Sequence, residues 1–152
     1  MRRFSTVLSL VIACTAGALW GADSKPAKGT PEEAKALLAR AVQAVQKDGE
    51  KKALASFSDV KGPFVDRDLY VFCFDAKHKI TAHRDPARLG TDVATLKDED
   101  GKAFGNEMIA ASAKGEGTVE YKWMNPVSHE VEPKISFVKK AGNQTCGVGA
   151  YK

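Results

Sequence analysis

From Gly117 to Val138 the chain alternates with a period of two. Val119, Tyr121 and Trp123 are interleaved with Thr118, Glu120 and Lys122. After a break, Ile135 and Phe137 are interleaved with Lys134, Ser136 and Val138. A period of two puts successive side chains on opposite faces of a half-buried strand, so this stretch predicts a β-hairpin. Asn125-Pro126 opens its loop, because proline brings no N–H to a ladder, and Pro133 closes it.

A helical period precedes it. Ala34, Leu37, Leu38, Ala41, Val42 and Val45 form one apolar stripe. Thr30, Pro31 and Glu33 make an N-terminal capping box with proline in the first turn, and Gly49 is placed to stop the helix. Glu50 to Phe57 predicts a second short helix with Leu54 and Phe57 inward. Gly62-Pro63 marks a turn.

Asp68 to Asp75 carries Tyr70, Phe72 and Phe74 on one face and Val71 and Cys73 on the other. Both faces are apolar, as in a central strand covered on both sides. Asp75 to His78 turns the chain, and Lys79 to His83 returns as a hairpin partner. Arg84 to Lys102 is a long polar connection, a type of segment that often carries function. Phe104 to Lys114 predicts a helix with Phe104, Met108, Ile109 and Ser112 on one face. Gly142-Asn143 turns the chain into a last strand, Gln144 to Lys152. Five strands with a helix-bearing crossover between the second and third describe an α+β domain with a mostly antiparallel sheet.

The start of the chain changes the picture of where this domain resides. Met1-Arg2-Arg3 is followed by an apolar run from Phe4 to Trp20, the pattern of a secretory signal peptide. Residues 1–22 are read as that leader, 23–29 as a polar linker and 30–152 as the domain. Cleavage fits after Ala18 or after Ala22. A second route stays open: Val11-Ile12-Ala13-Cys14 resembles a bacterial lipobox, which would lipidate Cys14 and tie the protein to a membrane. Either route predicts a periplasmic or secreted protein.

Composition removes several classes. The chain has 152 residues, one domain's worth, and a formal charge of +4 with basic and acidic residues interleaved. Half of that charge is Arg2 and Arg3, so nucleic acid is not an expected partner. His78, His83 and His129 lie in no metal-ligand spacing, and no cofactor motif or catalytic constellation is visible, so neither metal nor cofactor nor enzymatic activity is expected.

The ordered set Leu69-Tyr-Val-Phe-Cys-Phe-Asp75, Ile80-Thr-Ala-His83, Leu89-Gly90, Val119-Glu-Tyr-Lys-Trp123, Asn125-Pro126, Glu132-Pro-Lys134, Ser136-Phe-Val138 and Gly147-Val-Gly-Ala-Tyr151 resembles the single Cache domains of bacterial extracytoplasmic sensors. The resemblance runs from about Thr30 to the end of the chain. It implies a PAS-like fold: a five-stranded sheet, a long N-terminal helix on one side and a small-molecule pocket on the other, under the long connection. It implies a sensory, ligand-binding role linked to signal transduction, with a small organic acid as ligand. No output module follows in this sequence, so an exported stand-alone form is expected, serving a sensor or transporter of the envelope or capturing ligand. An interaction module for another envelope protein, without a small-molecule ligand, is the alternative.

Lys134 is the expected cation for a carboxylate, with a solvated surface lysine as the competing reading. Tyr121 and Trp123 would supply a hydroxyl and an apolar wall, His83 a donor, and Phe72 and Phe74 the floor beside Tyr70. In the PAS-like arrangement the strands of Cys73 and Cys146 are neighbours and both thiols can face one core layer. Export favours their oxidation to a disulfide, and two buried free thiols are the alternative.

Overall fold

The computed structural model describes residues 28–152. The leader, the lipobox cysteine and most of the 23–29 linker lie outside the described residues. Helix α1 spans Pro31–Asp48 and α2 Glu50–Ser58. Strands β1 (Val65–Asp66), β2 (Leu69–Phe74) and β3 (Ile80–Ala82) follow. Helix α3 (Phe104–Ala113) leads into β4 (Glu116–Met124), β5 (Val131–Ala141) and β6 (Gln144–Tyr151). The fold is PAS-like, with one six-stranded sheet in the order β1-β2-β6-β5-β4 and β3 paired to β2. Every pairing is antiparallel. The sixth strand is the two-residue β1, too short to show a period in sequence.

The capping box sets where α1 begins. Thr30 Oγ1 accepts from the Glu33 N–H at 3.1 Å, and Glu33 Oε2 accepts from the Thr30 N–H at 2.9 Å. Each bond satisfies a donor that the helix start would otherwise leave unpaired. Ala34, Leu37, Leu38, Ala41 and Val45 are buried, with Val42 packed at their edge. Gly49 ends the helix at φ 85°, a left-handed value that glycine adopts without strain. The next helix buries Ala53 and Phe57. The linker is not a free tether at its end: the Gly29 N–H donates to buried Asp68 at 2.7 Å.

All six residues of β2 are buried, because α1 and α2 cover one face of the sheet while the long connection and α3 cover the other. Leu69, Val71 and Cys73 join the first layer with Cys146, Val148 and Ala150 of β6. Tyr70, Phe72 and Phe74 join the second with Val119, Tyr121 and Val138. Cys73 and Cys146 stand opposite each other across β2 and β6, with Cα atoms 4.1 Å apart, and form a disulfide on the helix side.

The long connection is ordered by backbone bonds. It contains two short 3-10 turns, Pro86–Arg88 and Val93–Thr95, capped by Asp85 and Asp92. The Ile80 N–H donates to Thr91 O at 2.9 Å and the Gly90 N–H to Ile80 O at 2.8 Å, so the segment lies along β3. Helix α3 buries Phe104, Met108 and Ala111, a spacing of four and three; Ile109 and Ser112, expected on that face, are half-buried at its flank.

Candidate functional site

The second face of the sheet carries the site. Its alternation puts Tyr70 and Phe72 of β2, Tyr121 and Trp123 of β4 and Lys134 and Ser136 of β5 on the same side. The matching positions of β6 are Gly147 and Gly149. A Cβ on Gly147 would overlap the Phe72 ring, and one on Gly149 would overlap Lys134 Cε and Ser136 Oγ. Two missing side chains on one strand therefore leave the trough in which its neighbours' long side chains lie.

Lys134 lies in that trough. It is 1% exposed, although its side chain ends in an amine. Its Nζ donates to the Tyr70 hydroxyl at 3.0 Å and to the Tyr151 hydroxyl at 3.2 Å. The same nitrogen sits 4.2 Å from the Tyr70 ring centroid and 4.5 Å from that of Tyr151, within cation–π range. An ammonium has three N–H donors, so two are engaged. Among the described residues it forms no ion pair. Burial pushes its pKa below the ordinary lysine range and nearby Arg84 adds to this, while Tyr70 and buried Asp68 oppose it.

Next to this buried amine is a narrow cavity between the sheet, the long connection and α3. Tyr70, Phe72, His83, Tyr121 and Trp123 line it, with Phe104 and Met108 from α3. About 30 Å³ of it admits the centre of a water-sized atom. That is more than the ~10–15 Å³ that one water needs. Phe104 stacks on Tyr121 at 4.0 Å between ring centres and meets Trp123 edge-on at 5.3 Å, so the wall is a rigid aromatic cluster. The Tyr121 hydroxyl and Ser136 Oγ are 2.9 Å apart. Burial raises the Tyr121 phenol above its ordinary range, so it stays protonated.

His83 closes one side. Its Nδ1 accepts from the Asp85 N–H at 2.9 Å, which puts the proton of the neutral ring on Nε2. Burial, and then the charge of Lys134, lowers its pKa to about 4. Its ring meets Tyr70 edge-on at 5.2 Å. Arg84 lies over Tyr70 as well, with Cζ 5.6 Å from the ring centre, and its buried Nη1 has no hydrogen-bond partner. At the mouth, Arg88 lines the cavity, lies 4.9 Å over the Trp123 ring and pairs loosely with Asp85 at 3.8 Å.

Four of the six residues singled out in sequence, Phe72, His83, Tyr121 and Trp123, line this cavity. Phe74 belongs to the same apolar layer but not to the lining, and Lys134 sits beyond the lining, behind Tyr70 and Tyr151. The arginines at positions 84 and 88 were missed. They lie in a polar connection whose path depends on bonds to β3, and their one sequence signal was their closeness to His83. Among the described residues no group of His, Cys, Asp and Glu is arranged to hold a metal ion, and no helix is long and apolar enough to cross a membrane.

With this geometry established, comparison with known proteins is direct. The family described as Single Cache domain 2 matches residues 17–151. Among solved structures, a methyl-accepting chemotaxis protein from Vibrio parahaemolyticus superimposes with a TM-score of 0.68 at 26% identity, over 79% of this chain and 86% of that one. A Cache chemosensory domain, solved to explain carboxylic acid recognition, gives a TM-score of 0.60 at 27% identity over 79% and 86%. The sensor histidine kinase MctS of Rhizobium johnstonii is 34% identical over 56% of this chain. The methyl-accepting chemotaxis protein McpP of Pseudomonas putida is 32% identical over 57%. The aligned parts make up 19% and 16% of those two proteins, so the chain spans about a fifth or less of their length. These relatives are a sensor kinase and a chemoreceptor, and a neighbouring structure is described as a periplasmic sensor domain. A family match over most of the sequence and a shared PAS-like sheet lead to one conclusion: the chain belongs to the Single Cache domain 2 family of sensor domains.

Proposed function

We propose that this domain binds a small organic acid outside the cytoplasm, with Lys134 as the cation that meets the carboxylate. The observation that carries the reading is a fully buried lysine amine with two donors on tyrosine hydroxyls and no direct ion pair among the described residues, beside an aromatic cavity. A buried charge with no carboxylate in direct contact is costly even with Asp68 nearby, and a carboxylate from solution offsets that cost with a charge-assisted hydrogen bond. Arg84 and Arg88 add positive potential near the cavity, and the Nε2–H of neutral His83 supplies a further donor. The aromatic walls restrict the apolar part of the acid to a short chain. Carboxylic acid recognition by a structurally similar Cache domain supports the same ligand class.

The apolar leader supports export to the periplasm or secretion, with Cys14 lipidation as the route to membrane attachment. Signal transduction through an envelope sensor, or ligand capture for a transporter, is the role that fits a member of this family. A second reading, docking to an envelope protein without a ligand, draws on the exposed Met124, Val127 and Val131 around the β4–β5 loop.

A thermal-shift panel of acetate, lactate, malonate and succinate tests the ligand reading. Saturation at about a hundred times the dissociation constant stabilises by about 2.7 kcal/mol, a shift of several degrees. The expected result is a shift with at least one acid that Lys134→Met abolishes. No shift with any of the four in the folded protein would sink the reading.

A further inference from the structure

The two ends of the described chain meet at the same end of the sheet as Lys134. Beyond accepting from Lys134, the Tyr151 hydroxyl donates to Met124 O at 2.7 Å. Tyr151 is the last residue of β6 and Met124 the last of β4, so one phenol joins the buried amine to both strand ends. The Lys152 N–H continues the ladder to Pro133 O at 2.9 Å.

Asp68, fully buried in the turn before β2, gathers the other end. Its Oδ1 accepts from the Gly29 N–H, just before α1, and its Oδ2 from Asn125 Nδ2 at 3.3 Å. Asn125 also donates to Glu132, which pairs with Lys28 at 2.8 Å, and Lys28 donates to Lys152 O at 2.9 Å. The start of α1, the β4–β5 loop and the end of β6 thus form one connected polar cluster, whose bond to the candidate ligand cation runs through Tyr151.

We propose that Tyr151 is the positioning residue through which ligand occupancy is passed to both ends of the domain. The proposal rests on the carboxylate reading of Lys134. The ammonium has a third N–H, so an acid that enters past the Tyr70 ring adds to Lys134 while both tyrosine oxygens remain bonded to it. Fixing the amine fixes its bond to Tyr151, and a hydroxyl that accepts a stronger bond donates a stronger one to Met124 O. The β4–β5 loop and the last residue of β6 are held more firmly when the site is full. A ligand acts on these remote segments only because its binding is tighter in the fastened state.

Hydrogen exchange of the full chain with and without saturating acetate, lactate or succinate, paired with titration calorimetry, tests this. The expected result is that an acid giving binding heat slows exchange at the Lys152 amide and across residues 125–132 by about tenfold, a mid-range coupling. In Tyr151→Phe, brought to saturation at whatever affinity calorimetry then gives, that slowing disappears. Asp68→Asn, which leaves the Lys134–Tyr151–Met124 chain intact, keeps the slowing in 125–132 and serves as the variant that separates the routes. Binding heat without slowed exchange in the unmodified protein overturns the coupling, as does slowing that survives in Tyr151→Phe. Absence of binding heat from all three acids overturns the carboxylate reading itself.

Discussion

Gly149 and Lys134 share one space: the lysine side chain crosses β6 where a β-carbon on Gly149 would stand. Gly149 is opposite Ser136 in the β5–β6 ladder, two residues from the position facing Lys134. The lysine can reach Tyr70 on β2 only by passing over β6 at that glycine.

Gly149→Ala therefore displaces the ammonium from both tyrosines. Overpacking of this kind costs about 1–3 kcal/mol. A lower urea midpoint with an unchanged m-value is expected, together with loss of any carboxylate-induced thermal shift. An alanine variant as stable and as responsive as the original would show that the trough is not needed.

His83 gives stability a pH dependence with a definite sign. Its folded pKa, about 4, lies below its ordinary value of 6.5, so the unfolded chain binds more protons between those two values. The contribution is fully present above pH 6.5, declines as pH falls and is gone below about 4, with a slope of up to about 1.4 kcal/mol per pH unit. Urea unfolding at pH 7 and pH 5 should show this decline in the unmodified protein. His83→Gln should show a smaller decline over the same interval.

The disulfide closes a loop of 73 residues in sequence separation. Removing such a link costs about 2–5 kcal/mol. Cys73→Ala/Cys146→Ala should unfold at a lower denaturant concentration, and the original protein should move toward it when unfolded and refolded with reductant. Two reactive thiols in the unreduced, unfolded protein would rule the bond out.

Arg84 and Lys134 should differ in what they do to an acid. Lys134 makes the direct contact in the proposed complex, while Arg84 contributes charge near the Tyr70 ring that both cations share. Arg84→Gln is expected to weaken carboxylate binding by about tenfold and Lys134→Met to abolish it, with calorimetry as the readout. Equal losses would make the two cations joint ligands.

Loss of the helix cap is a local matter. Thr30→Ala removes the acceptor for the Glu33 N–H and should cost about 1 kcal/mol without altering ligand response. A chemical denaturation curve for the variant measures it directly.

Local chemistry was legible in the sequence. The Thr30-Pro31-Glu33 cap, the stripe from Ala34 to Val45 and the alternations of β2, β4 and β5 each depend on neighbours within a few residues. The face shared by Tyr121 and Trp123 followed from the same parity. What was hidden depends on distant partners. Nothing near Lys134 in sequence indicates that Tyr70, 64 positions earlier, and Tyr151, 17 later, accept from it. Parity placed Lys134 on the right face, while its depth behind the cavity lining came from Gly149 on another strand. The path of Arg84 and Arg88 depended on the bonds between Ile80 and Thr91, which no local period encodes.

The covalent link between Cys73 and Cys146 has a mechanical consequence for the opposite face of the sheet. It joins β2 and β6, the two strands that carry Tyr70, Phe72, Gly147 and Gly149 beneath the cavity. Bolted together from below, these strands cannot spread to admit a guest. Any widening has to come from above, where the Arg84 to Lys102 connection and α3 lie over the aromatic rings. The base of the chamber is a fixed anvil, and its ceiling is the part left free to adjust.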